Sequence, residues 1–141
     1  MSQTLEKAKI LIADDEASIR IGCQHILTAE GHEVIPAEDG LIALEKFKET
    51  PADLVLLDLM MPGKDGLSLI PDLLAVDPSV VIIMITGYAS FETAVKAIQL
   101  GAYDYVPKPF TPNELKIVVQ RSLEKRFLIL KTQQFSFHPI S

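Results

Sequence analysis

Five short apolar runs recur along the chain, and longer segments with helical spacing of their apolar residues separate them. This pattern predicts strands at residues 9–13, 33–37, 54–57, 80–85 and 104–106. Because the strands alternate with helices, we expect a five-stranded parallel sheet covered by helices. The first, third and fourth runs are almost continuously apolar, which is typical of strands buried on both faces. The second and fifth runs are more polar and contain proline, which favours the two edges of the sheet.

The helical segments carry their own start and stop signals. Gly31 is expected to end the first helix and Gly101 the fourth, because glycine tolerates the backbone conformation that follows a helix C-terminus. Residues 111–114 read Thr-Pro-Asn-Glu, a capping box with proline at the first helical position. Pro71 falls inside the third helix, where its missing N–H predicts a bend or a shortened helix. The fourth helix is expected to bury four residues at helical spacing: Phe91, Ala94, Val95 and Ile98.

The last helix carries apolar residues at every fourth position: Leu115, Val119, Leu123 and Phe127. Up to Leu123 this ladder is expected to pack against the sheet. Beyond it, the ladder either continues that packing or extends past the domain as a linker or a dimer helix. We therefore predict one domain over residues 1–126, and a C-terminal extension or the start of a linker over residues 127–141.

The composition of the chain narrows its class. Of 141 residues, 48% are hydrophobic and 23% are charged, as in a single globular domain. The longest apolar run, VVIIMI, is far shorter than the roughly 20 residues that span a bilayer, and the N-terminal residues lack an apolar signal core, so we expect a cytoplasmic protein. The net charge of -6 argues against nucleic-acid binding by this domain. One cysteine and three scattered histidines offer neither an internal disulfide nor zinc-ligand spacing.

Polar side chains stand at the ends of four predicted strands: Asp14, Asp15, Asp58, Thr86 and Lys108. In an open parallel sheet, ligands bind beyond the carboxyl ends of the strands, so these groups are expected to gather there. Clustered carboxylates repel one another unless a cation lies between them. Oxygen ligands without histidine or cysteine favour magnesium. The compact charge of Lys108 would pair with a phosphate or with the central carboxylate.

Each of these residues also has a purely structural interpretation. The acids at residues 14–16 would suit the first turn of a helix, and Asp58 could end a strand before a turn. Thr86 could cap a loop, and Lys108 could be a solvated surface charge. The joint pattern favours a shared site, because the structural interpretation requires a suitable polar residue at four separate strand ends by coincidence.

The order of short motifs is more specific than any single residue: DDE, then LLDLMMPGKDG, then ITGY, then KPF. Across residues 7–125 this order resembles the receiver domain of bacterial two-component response regulators. The resemblance implies a doubly wound, flavodoxin-like (βα)5 fold of the α/β class with strand order 2-1-3-4-5. The stretch at residues 85–115 looks most like receivers of the nitrogen-regulation type of transcriptional activator, which precede an ATPase domain and a DNA-binding domain.

The same resemblance implies a phosphorylation site. Asp58 is implied to be the phosphoacceptor, which receives its phosphoryl group from a sensor histidine kinase. The side chains of Asp14, Asp15 and Asp58, together with the backbone carbonyl of Met60, are implied to hold Mg²⁺. The protein would then be a signalling switch that catalyses only its own phosphorylation and slow dephosphorylation, and not an enzyme in the ordinary sense.

Further residues are implied to read the phosphoryl group. Thr86 is implied to hydrogen-bond it and Lys108 to contact another of its oxygens. Thr86 and Tyr105 would form the switch, in which the aromatic ring turns inward as the threonine moves. The peptide bond before Pro109 is usually cis in this family. We also hypothesise that the bulk of Tyr88 slows the water that hydrolyses the acyl phosphate.

The output of the switch is expected to lie on the surface formed by the fourth helix, the fifth strand and the fifth helix. Candidate residues on that surface are Ala89, Ala94, Lys96 and Tyr105. The chain is expected to control an output domain or a partner, to bind no nucleic acid directly and to form a weak homodimer through its fourth and fifth helices.

Four alternatives remain. An aspartate-nucleophile phosphatase or phosphotransferase of the haloacid-dehalogenase type uses similar residues, but its nucleophile precedes its acidic metal pair, and the order here is the reverse. A flavin-binding domain would need glycines and hydroxyls where this chain has ADDEAS. A receiver-like module that never sees phosphate would have no use for a repulsive acid cluster. A stand-alone phosphorelay intermediate would keep the site and lack the output domain.

Overall fold

The computed structural model describes residues 7–87 and 90–135 of the chain. Strands and helices alternate throughout this part of the molecule. The strands are β1 (Lys9–Ala13), β2 (Glu33–Ala37), β3 (Leu54–Asp58), β4 (Val81–Thr86) and β5 (Asp104–Pro107). The helices are α1 (Ala17–Ala29), α2 (Gly40–Glu49), α3 (Gly66–Val76), α4 (Phe91–Leu100) and α5 (Pro112–Phe135). Tyr88 and Ala89 lie outside the described residues.

The five strands form one parallel sheet in the order β2-β1-β3-β4-β5. This order confirms the predicted fold and places the more polar, proline-containing strands β2 and β5 at the edges. Strands β3 and β4 are buried along their whole length, as their continuously apolar sequences predict. No described helix is both long enough and apolar enough to cross a membrane.

Alternate residues of each central strand enter two separate cores. Residues such as Leu11, Val55 and Met84 face helices α2, α3 and α4, which contribute Phe47, Leu69 and other apolar side chains. Residues such as Ile10, Leu56 and Ile83 face α1 and α5 on the other side. The sheet is therefore covered on both faces, and the edge at the carboxyl ends of the strands stays open for chemistry.

The predicted helix ends are confirmed. Gly31 follows α1 with φ of 95°, and Gly101 follows α4 with φ of 121°, both in the left-handed region where glycine carries no Cβ penalty. At the start of α5, Thr111 N donates to Glu114 Oε1 over 2.7 Å and Glu114 N donates to Thr111 Oγ1 over 3.1 Å. This reciprocal pair is the predicted capping box. The Lys108–Pro109 peptide bond is cis, as expected.

The prediction for the buried face of α4 was wrong. Phe91 is 84% exposed, Ile98 is 48% exposed and Val95 is 37% exposed, whereas Ala97 is fully buried. Ala94 is half-buried. The spacing of the large apolar residues identified a real stripe, but the helix packs on the sheet through a small side chain and leaves that stripe in solvent.

The expected interruption of α3 is also absent, because the helix continues through Pro71 to Val76. Pro71 is exposed. Water can therefore hydrogen-bond the carbonyl of Leu67 that the missing N–H of proline leaves without its helical partner.

Helix α5 buries its ladder as far as Leu123, whereas Phe127 is 60% exposed. Past that point Arg126 Nε donates to Asp53 Oδ1 over 2.9 Å, and its Nη1 donates to the carbonyl of Ser79 over 2.9 Å. These bonds hold the middle of α5 to the end of the sheet opposite the strand-end acids. The helix runs on to residue 135 without a break, so the domain boundary at residue 126 stays a prediction.

Candidate functional site

The carboxyl edge of the sheet gathers polar groups from four strands. Asp58 ends β3 and Thr86 ends β4, while Asp14 follows β1 and Lys108 follows β5. Asp14 and Thr86 are fully buried, and Asp58 is 4% exposed. Each of these residues follows an apolar strand that is fixed in the core, so the backbone positions of the site are set by the sheet itself.

Lys108 is the hub of this group. Its Nζ lies 2.6 Å from Glu16 Oε1, 2.9 Å from Asp14 Oδ2 and 3.6 Å from Asp58 Oδ2. Burial alone would lower the pKa of Lys108, but the hydrogen bond from Glu16 and the charges of Asp14 and Asp58 raise it above its ordinary value. The ammonium is therefore charged at any physiological pH.

Asp14 is bonded on one side only. Its Oδ1 accepts the backbone N–H of Glu16 over 2.9 Å, and Arg20 Nη1 donates to its backbone carbonyl over 2.7 Å. Its Oδ2 is buried and has no aligned hydrogen bond, although Lys108 Nζ lies close to it. A buried carboxylate oxygen that faces the cavity without a hydrogen bond is costly unless a cation can approach it.

The carboxyl group of Asp58 is strongly perturbed. Burial and the neighbouring charge of Asp14 raise its pKa to about 7, although Lys108 and a hydrogen bond from the Met60 backbone act in the opposite direction. The site therefore holds more negative charge than one ammonium offsets, which is an unfavourable arrangement in the absence of a further cation.

The structure gathers a partly different set of acids from the one expected. Carboxylate oxygens of Asp14, Glu16 and Asp58 all lie within 4.8 Å of one another. Asp15 is exposed and is not in that set, so its assignment as a magnesium ligand stays a prediction. The sequence interpretation did not single out Glu16, although the DDE run already contained the signal. The donor set is all oxygen and includes an orphaned buried oxygen, so it fits a hard divalent cation.

The remaining predicted residues lie around this centre. The side chain of Met60 is 53% exposed, beside Asp58. Lys108 N donates to the carbonyl of Thr86 over 2.8 Å, which joins the ends of β4 and β5. Tyr105 is half-buried, and its hydroxyl lies 2.9 Å from Oγ1 of Thr93 in the first turn of α4. Tyr88 lies outside the described residues, so the hydrolysis hypothesis stays a prediction.

Replacing Asp58 with asparagine is expected to stabilise the magnesium-free protein at neutral pH. The folded-state pKa of Asp58, about 7, lies above its ordinary value of 3.8. The folded protein therefore holds more protons than the unfolded chain between these values, and the free energy of unfolding falls as the pH rises through that window. Above pH 7 the Asp58→Asn variant should be more stable than the wild type by roughly 2 kcal/mol.

Urea unfolding in the presence of a chelator, at several pH values from 4 to 8, measures this difference. The advantage of the variant should shrink toward zero as the pH falls to about 4, because the wild-type carboxyl is then protonated in both states. An advantage that stays constant with pH would contradict the assigned cause.

Residues 10–120 match the family described as the response regulator receiver domain. The chain therefore belongs to that family, whose members are phosphorylation-activated switches. Membership of this family favours the switch over the aspartate-nucleophile phosphatase. The family generally uses Mg²⁺ at an acidic pocket of the kind built here by Asp14, Glu16 and Asp58.

Particular relatives narrow the comparison. The chain is 39% identical over 116 residues to the regulatory protein AtoC of Escherichia coli (strain K12), an alignment that covers 82% of this chain and 25% of AtoC. It is 41% identical over 121 residues to the probable transcriptional regulator ycf27 of Porphyridium aerugineum, covering 86% of this chain and 50% of that protein. The chain thus spans between a quarter and a half of the length of these curated relatives.

Solved structures agree with this placement. The crystal structure of NtrX from Brucella abortus superposes with a TM-score of 0.86 at 38% identity, covering 92% of this chain and 30% of that one. A CheY-like receiver domain protein from Methanospirillum hungatei JF-1 superposes with a TM-score of 0.82 at 32% identity, covering 86% of this chain and 97% of that one. The resemblance to receivers of the nitrogen-regulation type is confirmed by NtrX and AtoC together.

Proposed function

We propose that Asp58 is the phosphoacceptor of this receiver domain and that the pocket around it binds Mg²⁺. The observation that carries the proposal is the position of the Asp58 carboxylate: it ends a fully buried strand, lies 3.6 Å from Lys108 and has a pKa raised by burial and by Asp14. Asp14 and Asp58 would hold the metal with Asp15 or Glu16 and with the carbonyl of Met60. When bound, Mg²⁺ supplies positive charge to the oxygens of a transferring phosphoryl group.

The reaction we propose is transfer of a phosphoryl group from a phosphohistidine to Asp58. An oxygen of Asp58 forms a bond to phosphorus as the bond between phosphorus and the imidazole nitrogen of the donor breaks. The Lys108 ammonium lies close enough to pair with a phosphoryl oxygen as Asp58 loses its own charge to the new bond. Little further machinery is needed, since phosphoryl transfer depends mainly on positioning and charge. Water later hydrolyses the acyl phosphate and resets the switch.

The conformational readout we propose runs from Thr86 to Tyr105 and then to α4. Thr86 ends β4 beside Asp58, so a phosphoryl group on Asp58 would offer its hydroxyl a new partner. Tyr105 lies on the neighbouring strand, opposite Met84. Its hydroxyl contacts Thr93, whose side chain also forms a capping box with Ser90 at the start of α4. A change in the Tyr105 ring would therefore reach the first turn of α4 directly, and with it the exposed stripe that includes Phe91.

The partners we propose are a sensor histidine kinase as phosphodonor and an output domain that follows α5. Support comes from the relatives, which are two to four times as long as the matched segment, and from α5, which continues past the family match with Leu128 60% exposed and Leu130 40% exposed. By analogy with nitrogen-regulation-type activators, the output would comprise an ATPase domain and a DNA-binding domain. A weak homodimer through α4 and α5 would cover their exposed apolar side chains.

Incubation with acetyl phosphate and Mg²⁺ tests the central proposal. The wild type should gain one phosphoryl group on the peptide that contains Asp58, and the gain should disappear when a chelator removes Mg²⁺ or when Asp58 is replaced by asparagine. Intact-mass and peptide mass spectrometry at low temperature locate the group. The Asp72→Asn variant is the matched control, because Asp72 is a surface carboxylate paired with Lys64, and it should label like the wild type. Labelling of the Asp58→Asn variant at the wild-type level would refute the proposal.

A further inference from the structure

Glu16 is the nearest partner of Lys108, yet it is the most exposed acid of the pocket. The distance from Lys108 Nζ to Glu16 Oε1 is 2.6 Å, a full ångström shorter than the distance to Asp58 Oδ2. The side chain of Glu16 is 58% exposed, whereas that of Asp58 is 5% exposed. The lysine amine is thus drawn toward the rim of the pocket and away from the buried carboxylate beneath it.

The carboxylate of Glu16 has no other structural task among the contacts that the structure describes. Glu16 occupies the N-cap position of α1, where acidic and hydroxyl side chains usually accept a backbone N–H of the first turn, but its side chain forms no such bond. Asp14 Oδ1 accepts the Glu16 N–H instead. The side chain of Glu16 is therefore committed to Lys108, and its loss would not remove a helix cap.

The contact between Glu16 and Lys108 is also of a kind that can be exchanged. An ion pair with one partner largely in solvent has a small net free energy, because water can replace either partner. A phosphoryl group on Asp58 would bring oxygens with more negative charge than a carboxylate to the neighbourhood of the same ammonium, which can make only three hydrogen bonds. Glu16 and those oxygens would then compete for Lys108.

We propose that Glu16 is a positioning residue that holds Lys108 at the rim of the pocket in the unphosphorylated protein and yields it to the phosphoryl group on Asp58. The inference rests on the proposed role of Asp58 and adds a competitor that sets how readily the phosphorylated state forms. Removal of the competitor should favour that state, whereas removal of a cation ligand would disfavour it, so the sign of the effect separates the two roles.

The test is the affinity for beryllofluoride, a stable mimic of the phosphoryl group, in Glu16→Gln at saturating Mg²⁺. The dissociation constant for Mg²⁺ is measured first for each variant, so that every titration is run far above it. Calorimetry should show about three- to fivefold tighter beryllofluoride binding by Glu16→Gln than by the wild type, a factor in the range of one exposed ion pair. The difference should shrink in high salt, because screening weakens the competing pair, and a purely structural role of Glu16 would not produce that dependence.

Glu30→Gln is the matched control. Glu30 lies at the other end of α1, has a side chain that is 46% exposed and pairs with Lys116 over 3.8 Å. The change in net charge and in side-chain type is the same, but the site is roughly 20 Å away along the helix. This variant should bind beryllofluoride with wild-type affinity.

Binding by Glu16→Gln that is equal to or weaker than that of the control overturns the inference, and a weaker value together with weaker Mg²⁺ binding would identify Glu16 as a cation ligand. The Asp58→Asn variant separates this failure from failure of the proposed function. If the wild type binds beryllofluoride and Asp58→Asn does not, only the role of Glu16 is refuted. If the two bind alike, both proposals fall.

Discussion

Replacing Lys108 with methionine is expected to lower the free energy of unfolding of the magnesium-free protein by about 3 kcal/mol at pH 8. Lys108 Nζ lies 2.9 Å from Asp14 and 3.6 Å from Asp58, whose side chains are 0% and 5% exposed. Methionine keeps a similar length and removes the charge, so two buried carboxylates would face each other without a counter-ion. The measurement is urea unfolding in the presence of a chelator, with circular dichroism as the signal.

The pH dependence gives this prediction its sign. Lys108 lowers the pKa of Asp58 against the opposing effect of burial, so its removal raises the folded-state pKa of that carboxyl further. The loss of stability should therefore be full above that pKa and should shrink as acidification protonates the carboxyl groups. Saturating Mg²⁺ should restore part of the loss, because a bound cation replaces the missing charge.

The matched control for Lys108 is Lys64→Met. Lys64 Nζ also lies 2.8 Å from a carboxylate, that of Asp72, but the two side chains are 28% and 40% exposed. The cost should be below about 1 kcal/mol and nearly independent of pH between 5 and 8. An equal loss in the two variants would show that the acids around Lys108 do not depend on its charge.

The sheet could be predicted from sequence because its determinants are local. Strands such as β3 and β4 are continuous apolar runs that can only be buried on both faces, and the proline of β2 at Pro36 removes a donor that a central strand would need. The strand-end acids then follow from the topology, because parallel strands bring their carboxyl ends to one edge. Asp14, Asp58 and Lys108 are brought together in this way.

Features that depend on side-chain direction could not be predicted in the same way. The stripe on α4 that includes Phe91 has the periodicity of a buried face, and periodicity does not say which side of a helix meets the sheet. Two consecutive acids after β1 differ in the same respect: Asp14 points into the pocket, whereas Asp15 is exposed and Glu16 returns to meet Lys108. The chain turns into α1 at this point, so the alternation of a strand no longer applies.

Replacing Gly66 with alanine is expected to lower the free energy of unfolding by about 2 to 3 kcal/mol. Gly66 is the first residue of α3, and its N–H donates to the carbonyl of Leu59 over 3.0 Å. A Cβ at this position would overlap the backbone carbonyl oxygen of Asp58 and would come within 3.0 Å of Leu59 Cα and of Met84 Cε. Two of these three atoms belong to the backbone, so a side-chain rotation cannot relieve the overlap.

The chain must instead move where β3 enters the loop toward α3, and that movement displaces Asp58. We therefore expect the rate of phosphorylation of Gly66→Ala by acetyl phosphate to fall by about an order of magnitude or more, because a small misplacement of a reacting group is costly. The rate is measured at a temperature and urea concentration at which the variant is folded, as judged by circular dichroism.

Gly22→Ala is the control with the opposite sign. Gly22 lies inside α1, and a Cβ there would meet no atom within 4 Å. Alanine should stabilise this helix by roughly 0.5 to 1 kcal/mol through its higher helix propensity and should leave the phosphorylation rate unchanged. If Gly66→Ala were as stable and as reactive as Gly22→Ala, the close approach of α3 to Asp58 could not be what holds the acceptor carboxylate in place.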